Sequence, residues 1–160
     1  MIDFIKNSWG FLMKLGSADI KKLEELWIYH EELKGQLAYR RYELLYQPSD
    51  KNVGGGKSNL PGNPVEQEVI KLDKDNLYRN LTESIMAVED VYRNATKEQK
   101  LIAQYRYWEK DLAIYEWPDI AHEITKQRED DKVISRDAVL RMRNKMMRET
   151  AKKIGWVTKE

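Results

Sequence analysis

Apolar residues recur every three or four positions from residue 19 to residue 46, a spacing that is typical of one face of a long helix. Ser17 or Asp19 can cap the start of this helix. Pro48 biases Gln47 away from helical angles, so the helix should end at about Tyr46. His30 lies on the apolar stripe, and we interpret it as a packing residue.

A second apolar series predicts either one helix over residues 65–94 or two pieces broken near residues 73–75. Between the two series, residues 47–64 hold three of the four prolines and four of the eight glycines, as expected for a connector without regular structure. We expect the two long helices to form an antiparallel hairpin. Their apolar stripes are longer than one hairpin needs, which predicts a homo-oligomer.

The C-terminal third predicts shorter helices. A capping box at Thr96 starts one that runs to about Leu112. Trp117 and Pro118 open another, because proline is well tolerated in the first helical turn. Its predicted buried residues are Ile120, Ala121 and Ile124. Ser135 is the expected N-cap of a final helix that ends near residue 155, with Val139, Met142 and Met146 facing the core.

A short helix, a connection and a capped helix with a basic outer face form the order of elements of a helix-turn-helix. The fold class predicted is therefore all-α, with a long hairpin followed by a helix-turn-helix unit. Charge supports this, because residues 135–153 hold seven basic residues against two acidic ones in a chain whose net charge is only +1. The chain departs from an ordinary helix-turn-helix in its connection, residues 125–134, which is longer than the usual turn of three or four residues.

These considerations predict a partner, double-stranded DNA, and a set of contact residues in the final helix. Arg136, Asp137 and Arg141 occupy early positions from which base edges are read. The basic residues later in the final helix are at positions suited to contacts with DNA phosphates. The full predicted set is Ser135, Arg136, Asp137, Leu140, Arg141, Arg143, Asn144, Lys145, Arg148 and Lys152.

Other chemistries lack candidates in the sequence. The chain has no cysteine, and its two histidines have no second ligand at metal spacing. The glycines of residues 54–58 lack the first glycine of a phosphate-binding loop. We therefore expect no enzyme activity, no metal, no cofactor and no membrane span. Five aromatic residues could stack on unpaired bases, but we interpret them as core: Tyr105, Tyr107, Trp108, Tyr115 and Trp117.

Two families share motifs with this chain. Residues 119–124 (DIAHEI) and 134–139 (ISRDAV) resemble the "EIA" and "IS..TV" signature of region 4 in sigma factors, itself a helix-turn-helix, and residues 104–108 (QYRYW) are similar to the segment that precedes it. Residues 40–45 (RRYELL) and 52–56 (NVGGG) resemble the helix and connector of RinA/ArpU-type phage regulators. Asp137 and Ala138 depart from the sigma pattern, so the resemblance assigns no DNA contact to these two residues.

The resemblance implies a transcriptional activator of late phage operons, which encode packaging and morphogenesis proteins, acting in the cytoplasm of a bacterial host. The helical pattern divides the chain into an N-terminal extension (1–18), a long helical hairpin with its connector at 47–64 that we expect to mediate oligomerisation (19–95), and a sigma region 4-like DNA-binding unit (96–156). Contact with RNA polymerase is left open. Two alternatives also remain: a small terminase or other packaging adaptor, and a helical protein-binding adaptor. A ring of eight or more subunits would indicate packaging, and a dimer or tetramer regulation.

Overall fold

The computed structural model describes residues 15–46, 63–109 and 114–157, and within them the chain is helical without strands. The prediction of an all-α protein is confirmed. The glycine-rich part of the connector lies outside the described residues. The helices, in chain order, are α1 (Ser17–Ile28), α2 (His30–Leu45), α3 (Pro64–Lys74), α4 (Asn76–Arg93), α5 (Lys97–Ile102), α6 (Trp117–Gln127) and α7 (Arg136–Ile154).

The first predicted helix is interrupted at Tyr29, so the prediction of one unbroken helix is wrong at that residue. Both pieces contact α4, but each also has a neighbour that the other lacks. α1 lies against α7, whereas α2 lies against α3. The apolar spacing runs through Tyr29 without a gap, so the periodicity alone contains no sign of the change in partner.

The second predicted helix consists of two pieces that meet at Asp75, so of the two alternatives the one with a break near residues 73–75 is correct. The Asp75 carboxylate accepts a hydrogen bond from the backbone amide of Tyr78 at 2.7 Å and so caps α4. It also accepts two hydrogen bonds from the Arg40 guanidinium, at 3.1 and 2.6 Å. Asp75 thereby links the end of α3 to both α2 and α4.

Asp75 should make folding stability dependent on pH. The bonds from Arg40 and from the Tyr78 amide lower the pKa of its carboxyl from the usual 3.8. Its stabilisation is therefore present above about pH 3.8 and lost as the pH falls through the lowered pKa. We expect Asp75→Asn, which keeps a capping oxygen, to be less stable than wild type at pH 7 in urea unfolding. If the stability difference between wild type and Asp75→Asn were as large at pH 3 as at pH 7, this expectation would be wrong.

Two apolar clusters form the core of the described residues. The larger core joins α1, α4, α7 and the π-helical turn that follows α5 (Ala103–Trp108). Its buried members are Leu23, Trp27, Val88, Val91, Ala103, Tyr107, Met146, Met147, Ala151 and Val157. The smaller core joins α5, α6 and α7 through Ile102, Ile120, Ala121, Ile124 and Val139. Because α7 contributes to both, its inner face is held along most of its length.

Trp27 organises the larger core. Its side chain is fully buried, and its indole N–H donates to the Thr150 hydroxyl of α7 at 3.1 Å. The Trp108 ring stacks on it with a centroid distance of 5.8 Å, and the Trp108 indole N–H donates to the Trp27 carbonyl at 2.8 Å. The buried Tyr107 ring lies 6.2 Å away. Trp108 and Tyr107 thus serve as packing residues, as expected from the sequence.

Candidate nucleic-acid interface

The sequence signals at the ends of α6 and α7 operate as expected. α6 starts at Trp117 with Pro118 in its first turn, where the missing N–H has no helical partner to lose. The Ser135 hydroxyl accepts a hydrogen bond from the Ala138 amide at 3.1 Å and caps α7. At its far end Gly155 adopts a φ of 83°, a left-handed conformation that glycine takes without strain.

α6 packs directly on α7. The predicted inner residues of α6, Ile120, Ala121 and Ile124, are all buried and meet Val139 of α7 in the smaller core. Met142 is half-buried against the same cluster. Ile102 of α5 completes it, so three successive helices share one apolar centre.

The connection over residues 128–135 is tied to the helices on both sides. Thr125 donates its hydroxyl proton to the Ala121 carbonyl at 2.8 Å and accepts a hydrogen bond from the Ile134 amide at 2.9 Å. Arg128 binds Asp130 through two bonds of 2.6 Å, which lower the pKa of that carboxyl, and reaches Glu98 of α5 at 3.2 Å. The sequence showed the length of this connection, but not the bonds that fix it.

The outward side of α7 carries polar residues at helical spacing. Asp137, Arg141, Asn144 and Arg148 follow one another at intervals of four, three and four residues and are all exposed, as is the adjacent Lys145. We call these five residues the outer face of α7. The opposite side of the same helix is buried through Val139, Met146, Met147, Thr150 and Ala151. The orientation of the helix is therefore fixed with this face toward solvent.

Arg143 does not belong to the outer face, although the sequence placed it among the phosphate contacts. Its side chain is only 17% exposed and binds the Glu24 carboxylate of α1 at 2.7 Å. The second Glu24 oxygen accepts the Tyr107 hydroxyl, also at 2.7 Å. Burial, together with Glu24, raises the pKa of Tyr107 and keeps it a donor. Glu24 lies 119 residues away in sequence, so the pattern around Arg143 gave no sign of this partner.

The other predicted contact residues lie around the outer face. Ser135 and Arg136 are exposed at the start of α7, where Arg136 is 3.5 Å from the Asp137 carboxylate. Leu140 is half-buried, and Lys152 is half-buried beside Glu149 at 3.1 Å.

Arg141 and Lys145 make no hydrogen bond or ion pair within the part of the chain that the structure describes. Both cations are therefore exposed without an ion pair to any carboxylate of the described residues. A polyanion could bind them without first displacing an internal partner.

Other kinds of site find no support among the described residues. No group of three potential metal ligands occurs there. None of the described helices combines the length and the apolar character needed to cross a membrane. His30 is buried beside Glu89, with 3.2 Å between Nε2 and Oε1, and His122 is exposed on α6.

The comparisons with known proteins identify a family without a described activity. No curated protein and no solved structure matches the chain. One family model, described as a protein of unknown function (DUF722), matches residues 21–152, which include both core clusters except Val157 and the whole outer face of α7. The chain therefore belongs to the DUF722 family.

Proposed function

We propose that the protein is a DNA-binding transcriptional regulator in which α6 and α7 act as a helix-turn-helix. The observation that carries the proposal is the outer face of α7, where Arg141 and Lys145 are exposed and have no hydrogen-bond or ion-pair partner among the described residues. The buried opposite side of the helix supports it, because a recognition helix must be held firmly while its outer face enters the major groove.

The size of the outer face fits this role. Asp137 to Arg148 span about 16 Å along the helix axis, at a rise of 1.5 Å per residue, which suits a major groove about 12 Å wide. Arginine can form two hydrogen bonds with guanine, whereas lysine interacts with phosphate as a point charge. We assign Arg141 to base recognition and Lys145 to the backbone.

The proposed biological setting rests on the resemblance of short segments of this chain to RinA/ArpU-type regulators and to sigma region 4. On that basis we propose that the protein activates late phage genes, those for packaging and morphogenesis, from a site upstream of them. The proposal involves no enzyme activity. The contacts that bind α6, the connection and α5 to one another support a preformed reading unit despite the long connection.

Salt titrations of two alanine variants test this proposal. Arg141→Ala should cost about 1 to 3 kcal/mol on a selected site and reduce discrimination against random duplex. Lys145→Ala should weaken both duplexes alike and reduce the salt slope by about one unit. Arg41→Ala, which removes an exposed arginine from the distant helix α2, is the matched control and should change neither.

Two outcomes would count against the assignment. If both substitutions weakened both duplexes equally, the division into base and phosphate contacts would be wrong. If neither substitution had an effect, the outer face of α7 would not be the DNA-binding surface.

A further inference from the structure

The outward side of α2 carries an exposed aromatic stripe. Gly35, Tyr39, Tyr42 and Tyr46 follow one another at intervals of four, three and four residues, and the three tyrosines are 60–69% exposed. The Tyr42 and Tyr46 rings stack with centroids 5.2 Å apart. Within the described residues the three hydroxyls have no hydrogen-bond partner. We call these four residues the tyrosine stripe.

We propose that the tyrosine stripe is the contact surface between two copies of this chain, with their α2 helices packed antiparallel about a two-fold axis. The intervals of four, three and four residues read the same in both directions. An antiparallel copy therefore places Gly35 opposite Tyr46 and Tyr39 opposite Tyr42, at both ends alike, as a two-fold interface requires. A parallel copy would instead leave Gly35 facing Gly35 with no side chain between them.

Gly35 supports a partner on this face. Glycine inside a helix is unfavourable by about 0.5–1 kcal/mol relative to alanine. The fold of one chain does not require it, because a Cβ at Gly35 would have nothing within 4 Å. Beside it lies a groove of about 640 Å³, whose lining is half apolar or small (Gly35, Tyr39, Leu77 and Leu81) and half polar or charged (Glu32, Gln36, Arg40 and Glu43). A tyrosine ring from a second copy can occupy this space only if residue 35 stays small.

The exposed area of the stripe, if fully buried, reaches the lower limit of a specific interface. A buried tyrosine contributes about 150–250 Å², so six that are two-thirds exposed supply roughly 800 Å². The half-exposed Leu77 of each copy adjoins the same groove and brings the total close to the roughly 1,000 Å² that a specific interface needs. Three charged residues line the groove: Glu43 and Arg40 are paired with each other at 3.0 Å, whereas Glu32 makes no ion pair among the described residues.

Sedimentation velocity without DNA tests the interface separately from the proposed DNA binding. Wild type should be dimeric at micromolar concentration. Tyr39→Ser and Tyr42→Ser should each raise the dissociation constant by about 30-fold, as for central aromatic residues of interfaces. Gly35→Gln, which improves helix propensity, should also weaken the dimer without lowering thermal stability. Met86→Ser, at an exposed apolar residue of α4, is the control and should remain dimeric.

Disulfide trapping tests the orientation, and the absence of native cysteine makes it unambiguous. Gly35→Cys and Tyr46→Cys chains should cross-link when mixed and not separately. Like positions in the antiparallel pair lie about 16 Å apart along the axis, beyond the reach of a disulfide. Cross-linking of each variant with itself would overturn the antiparallel arrangement. A monomeric wild type, or dimerisation unaffected by Tyr42→Ser, would overturn the interface itself.

Discussion

Trp27→Ala is expected to destabilise the protein by about 3 to 5 kcal/mol, the cost of removing a large aromatic side chain from a filled core. The indole is fully buried, and the centroids of the Trp108 and Tyr107 rings lie 5.8 and 6.2 Å from its own. It also donates to Thr150 of α7, so the substitution removes a link between α1 and α7. Domains of this size are stable by about 5–15 kcal/mol. Urea unfolding followed by circular dichroism measures the loss.

Trp27→Phe is the matched control for this prediction. It keeps most of the ring packing and removes the indole N–H, while Thr150 still donates to the Met146 carbonyl at 2.9 Å. We expect a loss of about 1 to 2 kcal/mol, close to that of one buried hydrogen bond plus a small volume change. Equal losses for Trp27→Phe and Trp27→Ala would show that the hydrogen bond, not the packing, carries the effect.

Glu24→Ala is expected to destabilise the protein by about 3 kcal/mol, because it leaves the Arg143 guanidinium without its carboxylate in a mostly buried position. The Tyr107 hydroxyl would lose its acceptor as well. The double variant Glu24→Leu/Arg143→Met removes both charges and replaces them by apolar groups. It should be more stable than Glu24→Ala, since replacing a whole buried ion pair is often neutral. Thermal unfolding of the three proteins provides the comparison.

The same variants decide whether Arg143 contacts DNA. Below its melting temperature, the double variant should bind duplex with the affinity and salt slope of wild type, because Arg143 lies outside the outer face of α7. If the salt slope of the double variant were lower than that of wild type by about one unit, Arg143 would be a phosphate contact after all.

The features that sequence predicted well are those decided by neighbouring residues. The Ser135 cap, the Pro118 start and the Gly155 end each depend on backbone geometry within one turn, and all three occur where expected. The helical spacing of apolar and polar residues along α6 and α7 also distinguished the buried residues from the exposed ones. A residue type at a given position was enough to fix these features.

The features that sequence missed depend on partners far along the chain. Nothing near Tyr29 indicates that α1 packs against α7 while α2 packs against α3, although both contact α4. The ion pair between Arg143 and Glu24 was not predicted, because Glu24 lies 119 residues away in sequence. The π-helical turn after α5 was also not predicted, because its residues keep an apolar spacing that is compatible with an α-helix.

The position of α7 in both cores limits how this protein can evolve. A fragment restricted to residues 96–156 would keep the smaller core but would expose Met146, Met147 and Ala151, which pack against α1 and α4 in the larger one. The helix that we propose to read DNA therefore cannot be exchanged between relatives as a self-contained cassette. Changes of binding preference are expected as substitutions on its outer face, with the N-terminal helices retained to hold the other side.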